Sequence, residues 1–153
     1  TQYANMHDNP DDKFYIPDNV YIIGTMNDID RSVDSFDFAM RRRFRFIEIK
    51  ADERLEMLDA LGEDKDETIR RMTALNNEIS NVDELNENYH IGASYFLKLN
   101  DLSFDKLWTD YLQPLLYEYI RGMNNEDDIM EKFANAYGYV IAKAGGSNDA
   151  TQD

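Results

Sequence analysis

The sequence predicts a mainly α-helical protein with a small α/β part near its beginning. Two apolar runs, VYIIG at residues 20–24 and FRFIEI at residues 44–49, have the length and the β-branched or aromatic content of buried strands. After residue 50, apolar residues instead recur three or four positions apart, which is typical of amphipathic helices. The chain therefore divides into a strand-containing segment and a helical segment.

The composition excludes several classes of protein and site. The 153 residues include 31 acidic and 16 basic ones, and the formal net charge of −15 repels nucleic-acid backbones and anionic membranes. The absence of cysteine excludes disulfides, thiolate metal sites and cysteine nucleophiles, and two histidines leave little room for a histidine metal cluster. No apolar run is long enough to cross a membrane and no signal peptide opens the chain, so we expect a cytoplasmic protein.

The first predicted unit is a strand, a polar loop, a helix and a second strand. Turn residues at 17–19 precede the first strand, and the polar loop TMNDIDRS follows it at residues 25–32. Ser32 is a suitable N-cap for a helix that ends near Arg42, and the second strand follows at residues 44–49. A right-handed crossover is expected for such a unit.

A series of amphipathic helices is predicted after residue 50. Their apolar positions are Leu55, Leu58 and Leu61 in the first, Ile69, Met72, Leu75 and Ile79 in the second, Leu107 to Ile120 in the third, and Ile129 to Ile141 in the fourth. Gly62 is expected to stop the first helix, and Pro114 to kink the third or to mark its first turn. Residues 95–97 are expected to form a short strand or a buried turn.

Arginines gather in one short stretch of this acidic chain, at Arg31, Arg41, Arg42, Arg43 and Arg45. One interpretation is structural: Asp28 and Asp30 cap the predicted helix, and the arginines at its end complement its dipole. Another is functional: Asn27 lies just beyond the carboxyl end of the first strand, where ligands collect in open α/β sheets. An amide there holds a water molecule or a phosphate oxygen, and nearby arginines stabilise phosphoryl charge in a neighbouring subunit. The residues alone leave both interpretations open.

Residues 14–49, FYIPDNVYIIGTMNDIDRSVDSFDFAMRRRFRFIEI, closely resemble the second half of the AAA+ core of McrB-type NTPases, the motor subunits of modified-cytosine restriction systems. The family pattern is P-x-N, a hydrophobic strand, G-x-M-N-x-x-D-R-S and D-x-A-L/M-R-R-R-F. It contains a sensor-1 asparagine, a family-specific loop and an arginine-finger helix. The matching residues are Pro17, Asn19, Gly24, Met26, Asn27, Asp30, Arg31, Ser32, Asp37, Ala39, Arg41, Arg42, Arg43 and Phe44.

The resemblance implies catalytic roles for Asn27, Asp30, Arg42 and Arg43, and cofactor-binding roles for Arg31 and Arg41. By this resemblance, the asparagine positions the attacking water and Asp30 completes its loop. Arg42 and Arg43 reach the nucleotide of the adjacent subunit, and Arg31 organises the loop through a salt bridge. The family loop usually reads N-T-A-D, and Asp28 and Ile29 replace its middle residues here.

The helical part resembles the family's lid, a subdomain that folds over the nucleotide. HIGASYF at residues 90–96 resembles the family segment I-G-H-S-Y-F, with Ala93 in place of its histidine, and LQPLLYEY at residues 112–119 resembles P-L-L-E-E-Y. Arg121 is the candidate for a sensor-2 arginine. The predicted domains are the C-terminal part of the AAA+ core at residues 1–50, the helical lid at residues 51–145 and a disordered tail at residues 146–153.

The resemblance implies a subunit of a ring-forming NTPase that uses GTP or ATP with Mg²⁺ and drives a restriction complex. Its nuclease would be a separate subunit, and DNA would be bound by another domain of the protein. The sequence contains no phosphate loop G-x-x-x-x-G-K-[ST] and no apolar strand ending in an acidic pair. We therefore expect these parts to lie upstream of Thr1, this chain alone to be inactive, and no metal site within it.

Two further expectations complete the prediction. In the AAA+ sheet, the phosphate-loop strand lies between the two predicted strands, so their edges would be exposed here, and we expect a rearranged or dimerised strand region. The alternatives to the motor are a non-catalytic, acidic helical interaction module and another branch of AAA+ ATPases. Loss of turnover after substitution of Asn27, Arg42 and Arg43 would distinguish the motor from the module.

Overall fold

A computed structural model describes residues 16–26 and 38–140 of the chain. The chain divides into two compact units, Thr1–Asp30 and Arg31–Asp153. In the first unit, the described residues contain a turn at residues 18 and 19, which the N–H of Val20 closes by donating to the Pro17 carbonyl oxygen at 3.1 Å. The predicted turn before residue 20 is thereby confirmed.

The described part of the second unit is helical. The α-helices are α1 (Phe38–Arg41), α2 (Lys65–Ser80), α3 (Ala93–Phe96), α4 (Phe104–Leu107), α5 (Gln113–Ile120) and α6 (Glu126–Tyr137). Short 3-10 helices span Leu55–Asp64, Glu87–Tyr89 and Leu97–Asn100, and a π-helical segment, Trp108–Leu112, connects α4 to α5. None of the helices in residues 16–26 and 38–140 is long and apolar enough to cross a membrane.

Local sequence explains where these helices begin and end. Gly62 has φ 58° and interrupts the 3-10 helix Leu55–Asp64, as its position in the sequence predicted. The Ser103 side chain accepts a hydrogen bond from the Lys106 N–H at 3.3 Å and so caps the start of α4. Pro114 lies in the first turn of α5, directly after the π-helical segment Trp108–Leu112. Gly138, with φ 84°, ends α6 in a left-handed conformation.

The hydrophobic core lies between α2, α5, α6 and the segments that connect them. α2 packs most extensively against α6 and against the 3-10 helix that precedes it. The largest fully buried side chains are Trp108, Tyr137, Phe96 and Phe133. The Trp108 ring is stacked on Tyr137 and on Tyr139, at centroid distances of 5.2 Å and 5.6 Å. These aromatic contacts bring the π-helical segment against the end of α6.

The predicted strands at residues 20–24 and 44–49 are wrong for the described residues, which contain no β-strand. Ile23 is 92% exposed and Ile47 is 73% exposed, so the apolar runs are not buried. A strand needs a neighbouring strand to satisfy its backbone N–H and C=O groups, and the described residues provide none. The helical part of the predicted fold is confirmed, and the β part is not.

Two smaller predictions in the helical part also need correction. Residues 95–97, which were expected to form a strand or a buried turn, lie at the end of α3 and the start of a 3-10 helix. The fourth helix was expected to bury Val140, but α6 ends at Tyr137 and Val140 is 86% exposed. The predicted tail at residues 146–153 lies outside the described residues.

Candidate functional site

The predicted site residues fall into two groups in the structure. Asn27, Asp30 and Arg31 lie outside the described residues, so their roles stay predictions. Arg41 is the last residue of α1, and Arg42 and Arg43 form the turn that follows it. The site therefore has one described part, which we call the arginine stretch (residues 41–45).

The side chains of Arg41, Arg42 and Arg43 are exposed to solvent. The Arg41 guanidinium carbon lies 5.6 Å from the centroid of the Phe46 ring, within the range of a cation–π contact. Among residues 16–26 and 38–140, no carboxylate forms an ion pair with any of these three arginines. Since a guanidinium can donate two parallel hydrogen bonds to a phosphate, exposed arginines of this kind can bind an anion from outside the chain.

The arginine stretch joins the helical domain, residues 55–140, through residues 50 and 51. Lys50 Nζ lies 3.3 Å from Glu87 Oε2, and this ion pair raises the pKa of Lys50. The backbone of Ala51 lies against Gly92, where an added Cβ would be 3.7 Å from Ala51 Cα. Arg54 then adopts a left-handed conformation, with φ 65°, immediately before the first 3-10 helix.

Both contacts of this junction are made with residues 86–92, which we call the anchor segment. Its position is fixed by Asn76 in α2, which is buried. Asn76 Nδ2 donates to the Ile91 carbonyl oxygen at 3.0 Å, and the Ile91 N–H donates to Asn76 Oδ1 at 2.8 Å. The Ser80 hydroxyl and His90 Nε2 form a further hydrogen bond of 2.7 Å, whose direction depends on the histidine tautomer. His90 is therefore a hydrogen-bonded residue rather than an isolated base.

Arg71 in α2 contacts residues of α4 and of the end of α6. Its side chain is only 18% exposed, and its guanidinium carbon lies 4.4 Å from the centroid of the Phe104 ring and 5.3 Å from that of Tyr137. Arg71 Nη1 also donates to the Gly138 carbonyl oxygen at 3.4 Å. The Tyr137 hydroxyl donates to the Phe104 carbonyl oxygen at 3.0 Å, and burial raises the pKa of Tyr137. These contacts tie the end of α6 to α2 and α4.

Glu67 accepts hydrogen bonds from two arginines one turn further along α2. Arg70 donates to both carboxylate oxygens at 2.7 Å, and Arg71 Nε donates at 2.6 Å. The hydrogen bonds from Arg70 and Arg71 lower the pKa of Glu67 to about 2. Because the Arg71 side chain is occupied by Glu67 and two aromatic rings, its charge serves the packing of the helical domain.

Sequence analysis did not identify Asn76 or Arg71 as structurally important. Asn76 occupies a position among Met72, Leu75 and Ile79 on the apolar face of α2, and a polar residue on such a face indicates a specific hydrogen-bond partner. Arg71 follows Glu67 by four residues, a spacing that favours an ion pair within a helix. Arg121, the candidate sensor-2 residue, forms an exposed ion pair with Glu118 at 2.8 Å.

The described residues provide no metal site. Within residues 16–26 and 38–140, no three His, Asp or Glu side chains converge in a way that could hold an ion. Two carboxylates of the helical domain, Glu87 and Glu67, instead pair with lysine or arginine side chains. The residues described here therefore do not fit a Mg²⁺ ion.

Two comparisons with known proteins show what the chain is similar to. Residues 67–128, from α2 to the first turn of α6, match the family model described as McrB, alpha-helical lid domain. The chain is 39% identical over 127 residues to the type IV methyl-directed restriction enzyme EcoKMcrB subunit of Escherichia coli (strain K12). The match covers 73% of this chain and 28% of that protein, and no solved structure matches the chain significantly. The chain is therefore of the McrB type, and residues 67–128 of its helical domain match the McrB α-helical lid domain.

Proposed function

We propose that this chain is part of an oligomeric AAA+ nucleoside triphosphatase that drives a modified-DNA restriction complex. In this proposal, Asn27 orients the water that attacks the γ-phosphate, and Asp30 supports the loop that carries it. Arg42 and Arg43 extend to the nucleotide of the adjacent subunit and stabilise the negative charge of the transferring phosphoryl group. The helical domain closes over the nucleotide as a lid.

The similarity to a restriction enzyme subunit supports this reading at the level of the whole protein. That relative is named as a subunit of a methyl-directed restriction enzyme, and this chain spans less than a third of its length. The reaction, the DNA modification and the partners of the intact protein therefore belong to the proposal. The proposed partners are further copies of the same protein, a separate nuclease subunit, and DNA bound by another domain. The proposed location is the cytoplasm.

The observation that carries the proposal is the solvent exposure of the arginine stretch. Arg42 and Arg43 are exposed and have no carboxylate partner among the described residues, although the chain carries 31 acidic residues. A helix-end arginine with a purely structural role would be expected to bond to nearby carbonyl or carboxylate oxygens. Side chains that extend freely into solvent suit a task in a neighbouring subunit.

The nucleotide and its metal ion are held elsewhere in this proposal. We infer GTP or ATP with Mg²⁺ as the cofactor of the intact protein, where the metal would neutralise charge on the β- and γ-phosphates. The described residues contain no converging acidic ligands, so no step is assigned to Mg²⁺ here. This chain would contribute the Asn27 amide, which orients the attacking water, and the positive charge of Arg42 and Arg43.

The test is hydrolysis of GTP and ATP by the full-length protein with single substitutions. Arg42→Ala or Arg43→Ala should lower kcat by roughly 10³-fold or more if that residue is the arginine finger, while nucleotide binding is retained. Asn27→Ala should also lower kcat with little effect on binding. Lys132→Ala provides a control, because Lys132 is an exposed basic residue of α6, outside the arginine stretch.

Mixing two inactive variants tests whether the arginines act on a neighbouring subunit. Protein with Arg42→Ala and Arg43→Ala lacks only the arginine side of each shared site, and protein with Asn27→Ala lacks only the water-positioning side. A mixture of the two should regain part of the wild-type activity, because some interfaces combine an intact half from each variant. Unchanged turnover in all single variants would instead favour a non-catalytic interaction module.

A further inference from the structure

Residues 50 and 51 form the junction between the arginine stretch and the helical domain. Two separate contacts hold this junction in place. One is the ion pair between Lys50 and Glu87, and the other is the approach of the Ala51 backbone to Gly92. The first joins side chains and the second joins backbone, so they restrain the chain in different ways. Together they define the position and the direction of residues 50 and 51.

The anchor segment is itself fixed from its other side by α2. Asn76 satisfies both backbone groups of Ile91, which lies directly before Gly92. The hydrogen bond between Ser80 and His90 adds a second attachment to the end of the same helix. Because α2 contributes Met72, Leu75 and Ile79 to the core, the anchor segment is a fixed part of the helical domain.

We infer that Glu87 and Gly92 are positioning residues, which set where the arginine stretch leaves the helical domain. Seven residue steps separate Arg43 from Lys50, and a fully extended chain of that length spans roughly 24 Å. The reach of Arg42 and Arg43 toward a phosphate is thus limited by where residues 50 and 51 are held. This inference rests on the proposed role of the two arginines.

The backbone just after the junction supports this inference. Arg54 has φ 65°, a left-handed conformation that residues other than glycine rarely adopt. Such a conformation persists only where surrounding contacts impose it, and here it lies between the junction at residues 50 and 51 and the first helix of the domain. The junction is therefore a defined turn of the chain rather than a loose linker.

The junction contact can be tested in the 153-residue chain, which contains no cysteine. An added Cβ at Gly92 lies 3.7 Å from Ala51 Cα, so with a bond of about 1.5 Å the two Cα atoms are at most about 5.2 Å apart. That separation suits a disulfide. The Ala51→Cys/Gly92→Cys variant should oxidise to an intramolecular crosslink with retained helix content, and the single-cysteine variants should not. Failure of the pair to crosslink would overturn the inference, whatever the arginines do.

The positioning role can be tested in the full-length protein by exchanging charges. Lys50→Glu and Glu87→Lys should each lower kcat roughly two- to fivefold, the range that an exposed ion pair supports, with the KM for nucleotide unchanged. The double variant Lys50→Glu/Glu87→Lys should restore kcat, because the pair is rebuilt with its charges reversed. Lys132→Glu makes the same change in net charge as Lys50→Glu, but on α6, and should leave kcat unaltered.

The two proposals fail in different ways in this experiment. Wild-type kcat in both Lys50→Glu and Glu87→Lys, or a double variant that stays impaired, contradicts the positioning role. Wild-type kcat in Arg42→Ala and Arg43→Ala contradicts the proposed function instead. Loss of activity in the arginine variants, together with wild-type activity in the junction variants, supports the proposed function and contradicts only the positioning role.

Discussion

Among single residues, Glu67 is held in its ionised form by two arginines of the same helix. Three hydrogen bonds from Arg70 and Arg71 favour its ionised form and lower its pKa from the usual value of 4.5 to about 2. Arg71 in turn lies over the rings of Phe104 and Tyr137. The charge on Glu67 therefore stabilises an arginine that itself takes part in the packing of α2 against α4 and α6.

This environment predicts a pH dependence of folding stability with a defined sign. A carboxyl with a lowered pKa in the folded state contributes its full stabilisation above the unfolded pKa near 4.5, and loses it as the pH falls toward the folded pKa of about 2. Between pH 5 and pH 2, wild-type protein should lose stability relative to Glu67→Gln. Urea midpoints measured by circular dichroism at several pH values check this, and the difference between the two proteins removes the effect of other carboxylates.

A second variant separates the causes of this dependence. Arg70→Gln removes the donor that contributes most to the lowered pKa of Glu67 and keeps Arg71 in place. The pH-dependent difference should shrink without disappearing. A difference between wild type and Glu67→Gln that does not change between pH 5 and pH 2 would contradict the assigned pKa.

Among the elements, the contact between α2 and the anchor segment depends on one amide. Asn76 donates to and accepts from the backbone of Ile91, so it replaces the hydrogen bonds that a strand or helix would otherwise provide. Among the described residues, no buried side-chain nitrogen or oxygen lacks a partner. The buried side-chain polar atoms of the described residues are therefore all hydrogen-bonded, and a change at Asn76 removes partners from Ile91.

Asn76→Asp is expected to destabilise the helical domain by about 3 kcal/mol, because a buried carboxylate replaces the donor to the Ile91 carbonyl with an acceptor. Asn77→Asp is the matched control, since Asn77 is the next residue of α2 and is exposed. It should change the free energy of unfolding by less than about 0.5 kcal/mol. Urea denaturation followed by circular dichroism measures both. Equal effects of the two substitutions would show that the contact with Ile91 contributes little.

The elements also show which parts of the fold local sequence can predict. The spacing of Ile69, Met72, Leu75 and Ile79 predicted α2, and the last three are buried in it. The π-helical segment Trp108–Leu112 was not predicted, and neither was the stacking of its Trp108 on Tyr137, a residue of α6 distant in sequence. The predicted strands are not shown among the described residues, and the motif had already indicated that the strand expected to lie between them is not part of this sequence.

In the candidate site too, some features could be predicted from the sequence and others only from the structure. The motif predicted which residues matter, and Asn27 and Asp30 stay predictions because they lie outside the described residues. Exposure of Arg42 and Arg43 is a property of the folded chain, which spacing alone does not determine. The hydrogen bonds of Asn76 with Ile91 and the approach of Gly92 to Ala51 join residues distant in sequence, so only the structure reveals the anchor segment.

At the scale of the whole molecule, exposed apolar side chains coexist with a large negative charge. Ile22, Ile23, Ile47 and Ile49 are each more than half exposed. Exposed apolar side chains of this size favour association, since burial in an interface removes them from water. The net charge of −15 opposes association between copies of the chain, because like-charged molecules repel one another.

The balance between these two effects predicts that the chain associates more strongly as salt is added. Raising the salt concentration from 10 mM to 1 M shortens the screening length from about 30 Å to about 3 Å, which weakens repulsion while leaving apolar contacts in place. Light scattering should therefore show a higher average mass at high salt. Ile23→Asn/Ile47→Asn should abolish the increase without changing the net charge, whereas Val140→Asn, at another exposed apolar residue, should not. A monomer at both salt concentrations would show that these apolar side chains do not mediate self-association, and an equal effect of Val140→Asn would show that the contact is nonspecific.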